Sequence, residues 1–500
     1  MSAERRPLAE IVVVGRDQDL WLAALALKRA LGRSGPRVTA VELPSGLAPG
    51  AVVACLPQVT ALHDKLGLAE AALVTATQAS YTHGQAFVGR GVGWQPFFHA
   101  WAPFEWPGDG LPFFPCWLKA RAGGLDARLE DFCVPAVAAR QGRVVVSPEA
   151  KAAYGPSHAG LHVEAARYGA YLKAAVRAIE LRIIEARTVT VERHAGAIAA
   201  LRLEPDGARI EGDLFIDATG SDALLIGAPV EAMDGPACID RVLTARAPRF
   251  NRLPPLSEVR VGAAGWTALH PTPVATGITH AFSSAVTSDA AAGAAAATAA
   301  DVALSNVTIR PLTVGRRREP WSQNCVSIGA AAAVMDPLHD AATLVLQLGI
   351  VHLLAVLPDS TLFDAERVEY NRIVGSSLAR LRDFQDAFYR LAPLSDPFWE
   401  AARAGSLPDG LLYKVSAFRA RGLFAPMEDD VFPAESWQAL LTGLGLKPES
   451  LPPVVVGAEL SPVMTELARR LRGIRDAVKR LSPHEDYLRR LASAGGTPAR

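Results

Sequence analysis

Apolar residues open the chain in an unbroken run. Ile11-Val12-Val13-Val14-Gly15 reads as a buried strand, and Trp21-Leu22-Ala23-Ala24-Leu25-Ala26-Leu27 as a helix packed on it. The run Arg37–Glu42 then reads as a second buried strand. This is the layout of a βαβ unit that holds a nucleotide, with Glu42 placed to take a ribose hydroxyl. A loop rich in turn formers follows (44–50), and residues 53–80 read as helical pieces with Leu62, Leu66, Leu68 and Leu73 on their apolar faces. Aromatic residues crowd the next stretch: Trp94, Phe97, Phe98, Trp101, Phe104, Trp106, Phe113, Phe114 and Trp117. Prolines and glycines scattered through it (Pro96, Pro103, Pro107, Gly108, Gly110, Pro112, Pro115) predict a loop and not a helical stripe. Its rings serve either as core filler or as the wall of a pocket for a flat ligand. Farther on, 162–179 reads as a helix and 188–192, 197–204 and 209–211 as short strands. Asp213–Gly220 is another apolar strand ending in a small-residue turn. Residues 240–285 alternate as antiparallel strands, Cys325–Gly329 is a strand leading to a helix start, and 359–491 is mostly helical.

The turn of the βαβ unit has unusual residues. Gly15-Arg16-Asp17-Gln18-Asp19-Leu20 stands where the pattern G-x-G-x-x-G is expected, and only the first glycine is present. The second glycine normally lets backbone approach a pyrophosphate, which the helix N-terminus then binds. Asp17 puts a side chain and a negative charge there, costing an approaching phosphate about 1–4 kcal/mol. Asp17 or Asp19 could also cap the helix and occupy its free N–H groups. Leu20 replaces the glycine of close helix–strand packing.

Composition narrows the class. The chain has 500 residues, half of them hydrophobic, enough for two or three domains. Its 51 Lys and Arg balance 51 Asp and Glu, which gives no electrostatic case for nucleic acid or an anionic membrane. The five cysteines (Cys55, Cys116, Cys133, Cys238, Cys325) are widely spaced, suggesting a reducing compartment and no metal site. The N-terminal residues lack a signal-peptide core, and the alanine-rich stretch 285–304 is interrupted by Asp289 and Asp301, so a soluble cytoplasmic protein is expected.

Three segments carry a family resemblance. Asp213–Gly220 (DLFIDATG) is similar to the "GDLFIDCSG" strand of flavin-dependent tryptophan halogenases, and Trp321–Leu338 (WSQNCVSIGAAAAVMDPL) to their "W..NCVAIG.AAGF.EPL" segment. His162–Leu172, Asp383-Phe384, Tyr389, Asp396–Trp399, Phe432, Trp437 and Pro483-His484 continue the likeness in order, and the chain is identified as a member of that family. The resemblance implies a mixed α/β, flavin-monooxygenase-like fold with a second, partly helical substrate lobe. The expected organisation is a discontinuous FAD-type module (1–50, 150–235 and 320–360), a substrate-facing lobe (51–149 and 236–319), and a helical C-terminal region (361–500). It further implies FAD, a flavin reductase, an aromatic substrate, and hypohalous acid relayed by a lysine with help from a glutamate and a Ser-Thr-Gly segment. The flavin would lie on Gly15, Glu42, Asp217, Gly220 and Gly329, and the substrate pocket would include Trp94, Trp101, Trp266 and Pro271.

The reactive residues do not carry over. The family's "ATFKLG" lysine aligns with Thr82, and no lysine occurs between Lys65 and Lys119. A threonine hydroxyl cannot form a haloamine or present a cationic donor. "EPLESTG" reads Asp336-Pro337-Leu338-His339-Asp340-Ala341-Ala342, so His339 replaces the glutamate and Asp340 would repel a halide. The "WxWxIP" box reads Trp266–Pro271 with its second tryptophan lost. Two functional readings follow. One is a family member without halogenase activity, a homo- or heterodimeric partner of an active paralogue or a binder of an aromatic ligand. The other is an FAD-dependent oxidoreductase or monooxygenase, or another enzyme with altered chemistry on an indole-like substrate. Thr82, His83, His270 and His339 are its candidate catalytic groups, the imidazoles because they titrate near neutral pH.

Overall fold

A computed structural model describes residues 6–89, 94–104, 110–154, 159–227, 230–233 and 239–495. Trp106, Pro107, Gly108 and Cys238 lie outside the described residues. The chain divides into two compact units, 1–78 with 163–233 and 312–379, and 79–162 with 234–311 and 380–500. Residues 51–78, expected in the substrate lobe, thus belong to the first unit. The C-terminal region 361–500 is shared between the two units instead of forming its own.

The first unit is built on a six-stranded sheet. Its order is Trp321–Ser322, Cys325–Ser327, Leu214–Ala218, Glu10–Gly15, Arg37–Glu42 and Arg182–Glu185, parallel apart from the short edge hairpin. Central strands of such a sheet are covered on both faces, which explains their continuous apolar runs. Val12, Val14, Val41 and Phe215 share one core cluster, and the helix Asp17–Leu31 buries Leu20 through Leu27. The register places Gly15 beside both Glu42 and Ala218 at the carboxyl ends of three strands, where open α/β sheets bind ligands. Only glycine fits at Gly15, because a Cβ there would lie 2.5 Å from the Ala218 carbonyl oxygen. An antiparallel ribbon, Thr188–His194, Ala197–Glu204 and Arg209–Ile210, completes the expected strands.

The second unit carries a seven-stranded sheet ordered Ser305–Pro311, Arg241–Ala247, Thr276–Phe282, Gly265–Pro271, Ser257–Gly262, Gly84–Gly89 and Phe97–Ala100. All its pairs are antiparallel except Ser257–Gly262 with Gly84–Gly89. Helices surround it, including Phe113–Ala122, Val134–Arg140, Asp409–Arg421, Ala434–Gly443 and Leu460–Arg480. Among them Lys414 is buried. Its Nζ donates to Asp430 Oδ2 at 2.7 Å and to the Ala425 carbonyl at 2.9 Å, and lies 5.1 Å from the Trp437 ring centroid.

Four sequence expectations change. The aromatic stretch ends in a helix, Phe113–Ala122, because Pro115 falls in the first turn, where its missing N–H is tolerated. His162 lies in a strand, Gly160–Glu164, and the helix begins only at Ala165. After Gly329 the chain makes a short turn, Gly329–Ala331, and helix resumes at Ala341. The most membrane-like helical stretch is Leu338–Ala355, not 285–304; half of it is buried, with Leu344, Leu346, Ile350 and Leu353 in the core, so it reads as a core helix.

Candidate functional site

At the carboxyl ends of the first unit's strands, the chain's own side chains meet. Asp17 starts its helix in the left-handed region (φ 55°), a conformation an aspartate adopts more readily than most residues. That backbone swings its carboxylate away from the helix N–H groups, and Oδ2 accepts from Gly46 N at 3.0 Å. Asp19 accepts from the Gln18 amide at 3.1 Å. Neither aspartate caps the helix, contrary to expectation; the cap residue is Arg16, without a side-chain cap bond, and it pairs with Asp222 at 3.2 Å. Asp19 is half-buried against Gly329, where a Cβ would lie 2.8 Å from its Oδ2. Burial, with the Asp17 charge added, raises the Asp19 carboxyl to about 7.

The remaining flavin candidates are also engaged. Glu42 pairs with Lys173 Nζ at 2.5 Å. Asp217 is fully buried and accepts from the amides of Thr219, Leu225 and Ile226 and from the Thr219 hydroxyl, holding the turn after its strand. Gly220 provides a left-handed corner (φ 78°) in that turn. A cluster missed in the sequence lies in the same unit. Tyr168 OH is 2.5 Å from His63 Nε2 and hydrogen-bonds Cys55, whose thiol is pushed up to about 12 by burial. Tyr168 itself is held neutral, chiefly by burial, with Cys55 and Asp19 adding to the shift. Nothing in residue type marked these four groups, scattered from Asp19 to Tyr168, as neighbours.

His339 and Asp340 form a consecutive left-handed pair (φ 60° and 56°) just before the helix Ala341–Ala355. His339 is buried, and the turn is tied by Leu338 N donating to Asp336 Oδ1 at 2.9 Å. The Thr343 hydroxyl donates to the Ala54 carbonyl at 2.7 Å, securing the helix start.

In the second unit, Thr82 lies on a short strand, Ser80–Thr82, paired antiparallel with Gly160–Glu164. It is fully buried, and its hydroxyl donates to the Gly84 carbonyl at 3.2 Å. His83 Nε2 accepts from Val145 N at 3.1 Å, and burial followed by the nearby His484 lowers it to about 3, away from the neutral titration on which its acid–base candidacy rests. His270 packs edge-on against His162, ring centroids 5.2 Å apart. His162 donates from Nδ1 to the Pro271 carbonyl at 3.1 Å, and Ser80 donates to the same oxygen. Trp266 is buried and donates to Tyr389 OH at 2.8 Å. Trp94 is buried against Phe97 and Phe388, whereas Trp101 is half-buried. Of the pocket candidates, Trp94, Trp266 and Pro271 are therefore core residues in this fold.

Comparison with known proteins identifies the family and the fold. A profile described as tryptophan halogenase matches residues 10–459. A tryptophan 6-halogenase of Streptomyces albogriseolus is 28% identical, over 91% of this chain and 93% of its own. A tryptophan 7-halogenase of Lentzea aerocolonigenes is 25% identical, over 89% and 91%. Among solved structures, a flavin-dependent halogenase from Xanthomonas campestris superimposes with a TM-score of 0.90 at 28% identity, covering 97% of this chain and 99% of that one.

Proposed function

The chain belongs to the tryptophan halogenase family, and on that premise we propose that it is a member without halogenase activity, one that does not hold FAD in its dinucleotide site. The observation that carries this reading is the pair of aspartates, Asp17 and Asp19, at the strand–helix turn where a nucleotide fold would bring its pyrophosphate. One carboxylate accepts from Gly46 N and the other lies against Gly329. Glu42, which would take a ribose, is already satisfied by Lys173. Admitting a pyrophosphate would require ionised carboxylates beside it or the removal of both side chains, at a cost of about one to three decades of affinity per contact. No step through a flavin is derived for this site.

The reactive end supports the same reading. Thr82 has neither the length nor the charge of a lysine, and its hydroxyl is committed to backbone. A soluble cytoplasmic partner of an active halogenase, or a binder of an aromatic ligand, fits a fold kept intact around these losses. The test is to purify the chain, add excess FAD, remove free flavin and record the spectrum. Colourless protein is expected, for wild type and Thr82→Lys alike, with no halogenation of indole compounds when a flavin reductase, NADH and halide are present. Retained flavin with halogenation overturns the reading. A second reading, an enzyme with altered chemistry, draws on the left-handed His339-Asp340 pair, since such strain gathers at functional sites.

A further inference from the structure

The second unit holds a half-open cavity of about 650 Å³ that shares no residue with the sites above. It opens between the helix Phe113–Ala122, the turn Leu129–Phe132 and the end of the helix Ala434–Gly443. Its volume lies within the range of small-molecule sites. The walls are aromatic and fixed. Trp117 Nε1 donates to the Ala127 carbonyl at 3.1 Å, which sets the plane of the indole. Phe97 stacks on Phe87 with ring centroids 4.7 Å apart, and it occupies the space a Cβ on Gly443 would need. Phe98 lines the same space.

Two polar groups interrupt this apolar lining. Glu130 is 6% exposed, and the nearest guanidinium nitrogen recorded for it, Arg128 Nη1, is 3.9 Å away, outside hydrogen-bonding range. The Thr442 hydroxyl oxygen is buried with no hydrogen-bond partner among the described residues. Glu130 accepts from its own backbone N–H and feels the charge of Arg140, yet burial still raises its carboxyl, and the Thr442 hydroxyl is costly to bury unless something meets it. Aromatic walls with a carboxylate among them suit one chemistry: a flat ring bearing a protonated or N–H donor nitrogen.

We propose that this cavity is a binding site for an aromatic amine, its ring between Trp117, Phe97 and Phe98 and its nitrogen donating to Glu130 and Thr442. The cationic side chains Arg121, Arg128 and Lys447 also line the cavity, with Glu449 as a second carboxylate, so an aromatic acid is the competing ligand. The site stands whether or not flavin binds in the first unit, and it is tested separately.

The experiment is isothermal titration calorimetry of the full chain with naphthylethylamine and with naphthylpropionate, which share a ring and differ in charge. Saturable one-site binding of the amine is expected, with the acid weaker. Glu130→Gln should weaken the amine by about ten- to a hundredfold, the range of a charge-assisted hydrogen bond. Thr442→Val, which leaves the charge in place, should weaken it less, and provides a second variant should Glu130→Gln not fold. Absence of saturable binding, an acid as tight as the amine, or unchanged affinity in folded Glu130→Gln would each overturn the proposal.

Discussion

Asp19→Asn should make the first unit more stable, and increasingly so as pH rises. The cause is the burial of an acidic side chain against Gly329, which lifts its carboxyl from 3.8 to about 7 in the fold. A carboxyl raised on folding gives stability that is fully present below its unfolded value and is lost as pH climbs through its folded one. The rise spans about three pH units, and at about 1.4 kcal/mol per unit the ionised group costs about 4 kcal/mol above pH 7. Near pH 5 only the first part of that interval has been crossed, and the cost is about 1–2 kcal/mol. Asparagine keeps the acceptor for Gln18 and cannot ionise. The variant should therefore gain about 2–3 kcal/mol on wild type between pH 5 and pH 8. Asp17→Asn should move in the same direction by a smaller amount, because it removes the second cause of the shift. Urea unfolding read by hydrogen exchange on peptides from residues 10–31 isolates this unit from the other. Parallel pH profiles for wild type and Asp19→Asn would refute the argument.

Two further outcomes test the second unit. His83 and His484 are buried and lowered to about 3 and about 4, so their stability is present above pH 6.5 and lost as pH falls toward those values. His83→Asn should flatten the acid limb of the urea midpoint by about 1.4 kcal/mol per pH unit, and an unchanged slope would count against it. Lys414→Met strands Asp430 in the interior and should cost about 3–5 kcal/mol in unfolding measurements, with Asp430→Asn in the same chain restoring part of the loss.

The sheet of the first unit was readable because its strands are covered on both faces and show as pure apolar runs. The register that brings Gly15, Glu42 and Ala218 together follows from that pattern and a single glycine. The antiparallel strands of 240–285 were equally plain from alternation. The helix at Phe113 was hidden by proline density, since composition does not reveal that Pro115 falls in a first turn. At the site, the departures from the family pattern at Thr82, His339 and Asp340 could be read one position at a time. The reason Asp19 matters could not, because its burial depends on Gly329, which lies far along the chain. Glu130 and Thr442 were missed for the same reason, a glutamate and a threonine being surface residues by default.

The left-handed backbone at Asp17 bears on what the position can accept. The fold has there a conformation that glycine adopts freely, with an aspartate side chain attached. Aspartate and glycine codons differ by one base. Asp17→Gly is therefore a change the gene could sample readily and the backbone would accept without strain, while Asp19, against Gly329, and the buried Leu20 would still depart from the glycine pattern.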